Sequence, residues 1–165
     1  MRPLVSLPVL VLLSLTAGTV HAALAPSKGS QLVTLAAAGP CPLNASPSAL
    51  ALSIVVKSDG SAPSFAIPPK QILVLTDTVV SVVNEPAGDV LASQLLIGAA
   101  GTNGSAVEFR FEPATTSGTM SVVFAPPSGI AIKSGNAVCV DVTNFTHGGL
   151  TGFVAFAHGF LAPDK

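Results

Sequence analysis

Three histidines, eight carboxylates and two cysteines are the side chains with which this 165-residue chain could do chemistry. A histidine acts as a general base or metal ligand only when a partner orients it. His147 sits in "NFTHGGLTG", a loop-like stretch, and His158 in "GFVAFAHGF" near the chain's end. Together with Asp141 they could form a three-ligand metal set if the loop folded back. The spacings that usually mark such sets, HExxH or His-x-His, do not occur. Nor does a G-x-S-x-G elbow for a serine nucleophile. The carboxylates Asp59, Asp77, Glu85, Asp89, Glu108, Glu112, Asp141 and Asp164 are dispersed, so a glycosidase pair would have to be assembled entirely by the fold. Sugar platforms favour tryptophan and tyrosine; here eight phenylalanines are the only aromatics. The expectation is a non-enzyme with no catalytic residue, no metal site and no cofactor. Asn103 and His147 are the candidates for contacting a ligand, because both lie in loops.

The redox setting follows from the chain's start. "MRPLVSLPVLVLLSLTAGTVHAALA" has one basic residue, a short apolar core and small residues in cleavage-site spacing. This predicts a signal peptide over 1–22, cut after Ala22, which also discards His21. A polar leader, 23–30, would follow, then one domain over 31–165. No other long apolar segment occurs, so no transmembrane anchor is expected and the product is read as secreted or periplasmic. In an oxidising compartment Cys41 and Cys139 are expected to form a disulfide closing most of the domain, the alternative being two free buried thiols. The acceptor pattern for N-glycosylation occurs at Asn44, Asn103 and Asn144.

Loss of Arg2 takes the formal charge from −1 to −2, which suggests neither nucleic acid nor an anionic membrane as partner. Charged residues make up 9% of the chain, against about 25% in ordinary soluble domains. A surface so poor in charge points to contacts with copies of itself or with other envelope or extracellular proteins.

The elements that must position these residues read as strands. "SQLVTLAAAG" and "ALALSIVVKS" flank the turn-rich "PCPLNASPS"; "QILVLTDTVVSVVN" is long enough for one bent strand or two. Two strand-like runs flank Asn103-Gly104, a dipeptide favoured where a hairpin turn needs positive φ. In the second of them Val107, Phe109 and Phe111 alternate with Glu108, Arg110 and Glu112, one face for the core and one for water. "TMSVVFA", "GIAIK", "NAVCVDVT" and "TGFVAFAHGF" complete a set of eight to ten short strands, with 14 prolines and 15 glycines spread through the chain. The expected class is all-β, an antiparallel β-sandwich of jelly-roll type.

The stretches "IPPKQILVLTDTVVSV", "PPSGIAIKSGNAVCVDV" and "GFVAFAHGFLA" resemble a layout found in small exported bacterial β-sandwich proteins of unassigned function. The resemblance covers the C-terminal two-thirds; it implies a β-sandwich and brings no catalytic residues with it. In the last stretch Phe153, Ala155 and Ala157 face one way and Val154, Phe156 and His158 the other, so both faces are mostly apolar. His158 reads as the rim of a closing strand, with Gly159 allowing a bulge or a bend after it. A strand apolar on both faces needs a second cover, either the segment around "QLVTLAAAGPC" or another protomer. The function expected is a non-catalytic exported module acting through protein or surface contacts, with homo-oligomer formation; the alternative is a small-ligand or carbohydrate-binding jelly roll using the loops around Asn103 and His147.

Overall fold

The computed structural model describes residues 31–83, 86, 88–111, 119–146 and 152–165, and of 108–111 and 119 the backbone alone. The predicted signal peptide (1–22) and leader (23–30) lie outside the described residues, as does His147. Among those described, the chain is all-β: β1 (Leu32–Pro40), β2 (Leu50–Val55), β3 (Gln71–Val83), β4 (Leu91–Ala99), β5 (Ser105–Phe111), β6 (Thr119–Phe124), β7 (Ile130–Lys133), β8 (Asn136–Asn144) and β9 (Phe153–Pro163). They form one antiparallel sheet in the order β5-β4-β8-β2-β1-β9-β3-β6, with β7 also paired to β3.

The sheet curls because one face of almost every strand is aliphatic. Leu73, Leu75, Val80 and Val82 of β3 and Ala155 and Ala157 of β9 share one buried cluster with Leu91 and Leu95 of β4 and Val140 and Val142 of β8. In the sheet order β9 and β8 are separated by β1 and β2, so the two halves meet only if the sheet turns over. Pairing is shortest between β2 and β8, which share just Leu50 opposite Val140 and Ala51 opposite Cys139. Hydrophobic burial, at about 25 cal/mol per Å² of apolar surface, drives this closure.

"QILVLTDTVVSVV" forms a single strand, and its bend is a β-bulge. Leu75 lies opposite Gly159 and Asp77 opposite His158, leaving Thr76 unmatched. Inward-facing residues are therefore odd-numbered before the bulge, Leu73 and Leu75, and even-numbered after it, Thr78, Val80 and Val82. The bulge also explains Gly159. A Cβ there would press into the Val74 carbonyl oxygen and the Leu75 backbone, so the position excludes any side chain. β9 runs on past His158 to Pro163, and the irregularity beside Gly159 is the bulge on β3.

The β4–β5 hairpin is present, but Asn103-Gly104 is not a two-residue turn. β4 overshoots its partner because Gly98 and Ala99 continue pairing with Ala137 and Asn136 of β8, while β5 starts only at Ser105, opposite Ile97. The longer connection takes its positive φ values at Gly101 and Gly104, and Asn103 has none. Val107 packs against the core as its alternation predicts.

The sulfurs of Cys41 and Cys139 are bonded, with Cα atoms 5.7 Å apart and 98 residues between them in sequence. The bond ties the end of β1 to the middle of β8. It lies in a second buried cluster with Leu43, Ala49, Ala51 and Leu96.

Candidate functional site

The most distinctive surface is the outer face of β1, β9, β3 and β6. Reading across the strands, Val123 of β6, Val79 of β3, Phe156 of β9 and Ala36 of β1 are successive partners in one row. Ser121, Ser81 and Val154 form the next. On the other side lie Asp77, His158 and Thr34, and beyond them Val74, Phe160 and Leu32. Val123 is 62% exposed, Leu32 61%, Val154 51% and Phe156 40%. At the far end Ile72, Val74, Phe160 and Ala162 are buried in a cluster of their own. The predicted segment around "QLVTLAAAGPC" does not lie over this face: as β1 it pairs edge to edge with β9, with Thr34 opposite His158. Single exposed apolar residues are ordinary on protein surfaces, but an aligned set across four strands is not.

Within this apolar field stand two polar pairs, the hydroxyls of Ser81 and Ser121 and the pair of Asp77 with His158. The Nδ1–H of His158 donates to Asp77 Oδ1 at 2.6 Å, since an ionised carboxylate only accepts. The bulge makes the pair possible by turning Asp77 outward beside His158. Thr76 pins the bulge: its hydroxyl donates to the His158 carbonyl oxygen at 3.1 Å and approaches Asp77 Oδ2 at 3.3 Å. His158 is thus a mid-strand residue rather than a rim, because β9 stays paired on both sides through it. A carboxylate-oriented imidazole is half of a nucleophilic site. The hydroxyls of Ser81 and Ser121, 2.6 Å apart, stand four residues along β3, about 13 Å away at strand rise. They bond each other and are out of the imidazole's reach. With its side chains 47% and 27% exposed, the His–Asp pair is worth at most about 1 kcal/mol.

Asp141, the other candidate ligand, is occupied elsewhere. It is buried on β8, and its Oδ1 accepts from the hydroxyls of Ser46 at 2.9 Å and Ser48 at 3.0 Å. Those serines belong to the β1–β2 connection just after Cys41, so Asp141 braces the same junction as the disulfide. In the sheet β8 and β9 are separated by β2 and β1, which keeps Asp141 and His158 apart. Among the described residues no group of three or more His, Cys, Asp or Glu is placed to hold a metal ion.

Asn103 is exposed at the β4–β5 loop. Of the three glycosylation-pattern asparagines, Asn144 is buried, and its Nδ2 donates to Asp89 Oδ2 at 2.6 Å. Its Oδ1 accepts from the Thr146 amide at 2.8 Å, and the Thr146 hydroxyl takes the Val90 amide at 2.9 Å. Asn144 and Thr146 therefore lock the end of β8 to the start of β4. Asn44 donates to the Gly101 carbonyl at 2.7 Å, joining the β1–β2 connection to the β4–β5 loop.

Asp59 carries a clear electrostatic signature. A hydrogen bond from the Ser61 side chain, then one from the Ser61 amide at 2.8 Å, hold its pKa below the usual aspartate value. Both partners lie within the β2–β3 turn, so the effect is structural.

Among known proteins no family model matches the chain, and no curated protein matches it.

Proposed function

We propose that the chain is an exported, non-catalytic β-module that works by surface contact, and that the partner on its outer face is a second copy of itself. The observation that carries this is the exposed row Val123–Val79–Phe156 with Val154 and Leu32 beside it. The four strands beneath it contain no lysine, arginine or glutamate, and their one aspartate is paired with their one histidine. Such a face offers little charge with which to select a charged partner or to repel its own copy, its one carboxylate being engaged by His158. β6, "TMSVVF", ends the sheet order without a charge or a proline, the devices that normally blunt an edge strand. Face burial and strand addition at that edge supply the contact; a stable interface needs about 800 Å² from each copy.

Export is supported by the layout of residues 1–22 and by the disulfide. Among the described residues no helix is long and apolar enough to cross a membrane. A two-layered, jelly-roll-like sandwich, as in the small exported bacterial proteins the sequence resembles, is supported by the two halves sharing one core. The nested pairing of β1 with β9 and β2 with β8 points the same way.

The test is a double substitution, Val123→Lys with Phe156→Lys. Both side chains are exposed, so the fold should tolerate them. The variant should keep the strand signal of the parent in circular dichroism and lose mass in light scattering. An unchanged mass in a folded variant would contradict this assignment of the contact face.

A further inference from the structure

A second feature lies away from the outer face and is independent of it. Between β2, the segment before β3 and the β7–β8 turn, a cavity of about 290 Å³ opens into the core. Its floor is Leu35, Leu52, Leu73 and Val138, each no more than 6% exposed, so it enters the hydrophobic centre and is not a surface dent. Phe65 and Ala66 stand at its mouth.

The mouth is held by specific bonds. The Phe65 amide donates to the Ser53 carbonyl at 2.7 Å, and Ile54 and Ser64 form a bridge. From the other side the Ser134 hydroxyl donates to the Ile67 carbonyl at 3.0 Å. The two walls are thereby tied across the opening. A cavity of this size that reaches the core and is lined mainly by aliphatic side chains has the dimensions and character of a small-molecule site.

The lining specifies the chemistry. Among the described residues no lysine, arginine, histidine, aspartate or glutamate contributes to the wall. Its side-chain polar groups are Ser53, whose hydroxyl already donates to the Ala38 carbonyl at 2.8 Å, and Asn136. A charged ligand would be buried without a counter-charge, at a cost of several kcal/mol. The volume is about twice that of an apolar cavity that takes up benzene.

We propose that this cavity is a binding site for a neutral, mainly apolar small molecule, the size of a two-ring aromatic or an eight-carbon chain, with at most one hydroxyl or carbonyl group directed at Asn136.

The probe is 1-octanol, titrated into the purified chain and followed by methyl NMR, with octanoate as the charged analogue. Saturable shifts are expected at Leu35, Leu52, Leu73 and Val138, and octanoate at neutral pH should bind at least tenfold more weakly. Ala66→Trp, an exposed position at the mouth, should weaken octanol at least tenfold while leaving the unfolding midpoint near that of the parent. Absence of saturable shifts at these methyls, or equal binding of octanol and octanoate, would overturn the proposal. Shifts confined to Val123, Val154 and Leu32 would overturn it too, since the alcohol would then be reading the outer face. Should Ala66→Trp fail to fold, the octanol–octanoate comparison on the parent decides alone.

Discussion

Replacing both cysteines, Cys41→Ala with Cys139→Ala, should cost this domain a large part of its stability. The bond joins residues 98 apart in sequence. In the chain-entropy treatment, closing a loop of that length removes about 16 cal/mol/K from the unfolded ensemble, or about 4.7 kcal/mol at 25 °C. Cys139 is fully buried against Leu43, Ala49, Ala51 and Leu96, so loss of its sulfur also leaves a small void. Ordinary domains have about 5 to 15 kcal/mol in total, so the variant should be marginal but foldable at low temperature. In urea titrations followed by circular dichroism the midpoint should fall by about 2 M for an m-value near 2 kcal/mol/M. The m-value itself should rise, because the unfolded chain without the tie exposes more surface. A midpoint drop below about 0.5 M with an unchanged m-value would refute the reasoning. So would two free thiols in the native protein by maleimide labelling and mass spectrometry.

Other substitutions test the remaining joints. Gly159→Ala should destabilise by about 2 kcal/mol or more, because the added Cβ meets the Val74 carbonyl at the bulge; an unfolding midpoint equal to the parent's would show that β3 can shift aside. Asn144→Ala should cost about 1 to 3 kcal/mol by leaving Asp89 short of a buried donor, read from the same urea curves. Expressed in a glycosylating host, the chain should carry no glycan at Asn144 once folded, and a glycopeptide at that site would count against its buried pairing. Asp59 should titrate below the ordinary aspartate value of about 3.9 in carboxyl-carbon NMR, and Ser61→Ala should bring it back up. The sign follows from the depressed folded value. Its contribution is present above the unfolded pKa and is lost as the pH falls through the folded one.

Strand and turn patterning made the class and most of the elements legible in the sequence, and the reasons are local. "SIVV" and "AVCVDV" are rich in β-branched residues and adjoin glycine-bearing turns, so each reads as a strand, whereas the alanines of "VTLAAA" favour no strand by themselves. The Cys41–Cys139 pairing followed from there being no other cysteine to choose. What stayed hidden depends on register. Nothing in "LVLTDTVV" marks Thr76 as the unmatched residue, yet that single bulge turns Asp77 toward His158 and leaves Gly159 irreplaceable. The alternation of apolar residues in "GFVAFAHGF" gave the two faces of β9 correctly. It could not show that the strand continues past His158 or that β1 lies beside it. Asn103-Gly104 marks the β4–β5 hairpin, and positive φ falls on Gly104 and Gly101; the length of the connection is set by the extra pairing of Gly98 and Ala99 with β8, a long-range fact that local sequence does not carry. Asp141 was weighed as a metal ligand when its partners, Ser46 and Ser48, are more than ninety residues away in sequence.

The most direct test of the central claim is the solution mass of the purified, disulfide-intact chain, its N-terminus established by mass spectrometry, by light scattering over a hundredfold range of concentration. Self-contact through an uncharged apolar face predicts a defined oligomer that persists or tightens at high salt, since screening has no ion pairs between copies to weaken. A monomer at every concentration and salt would contradict it.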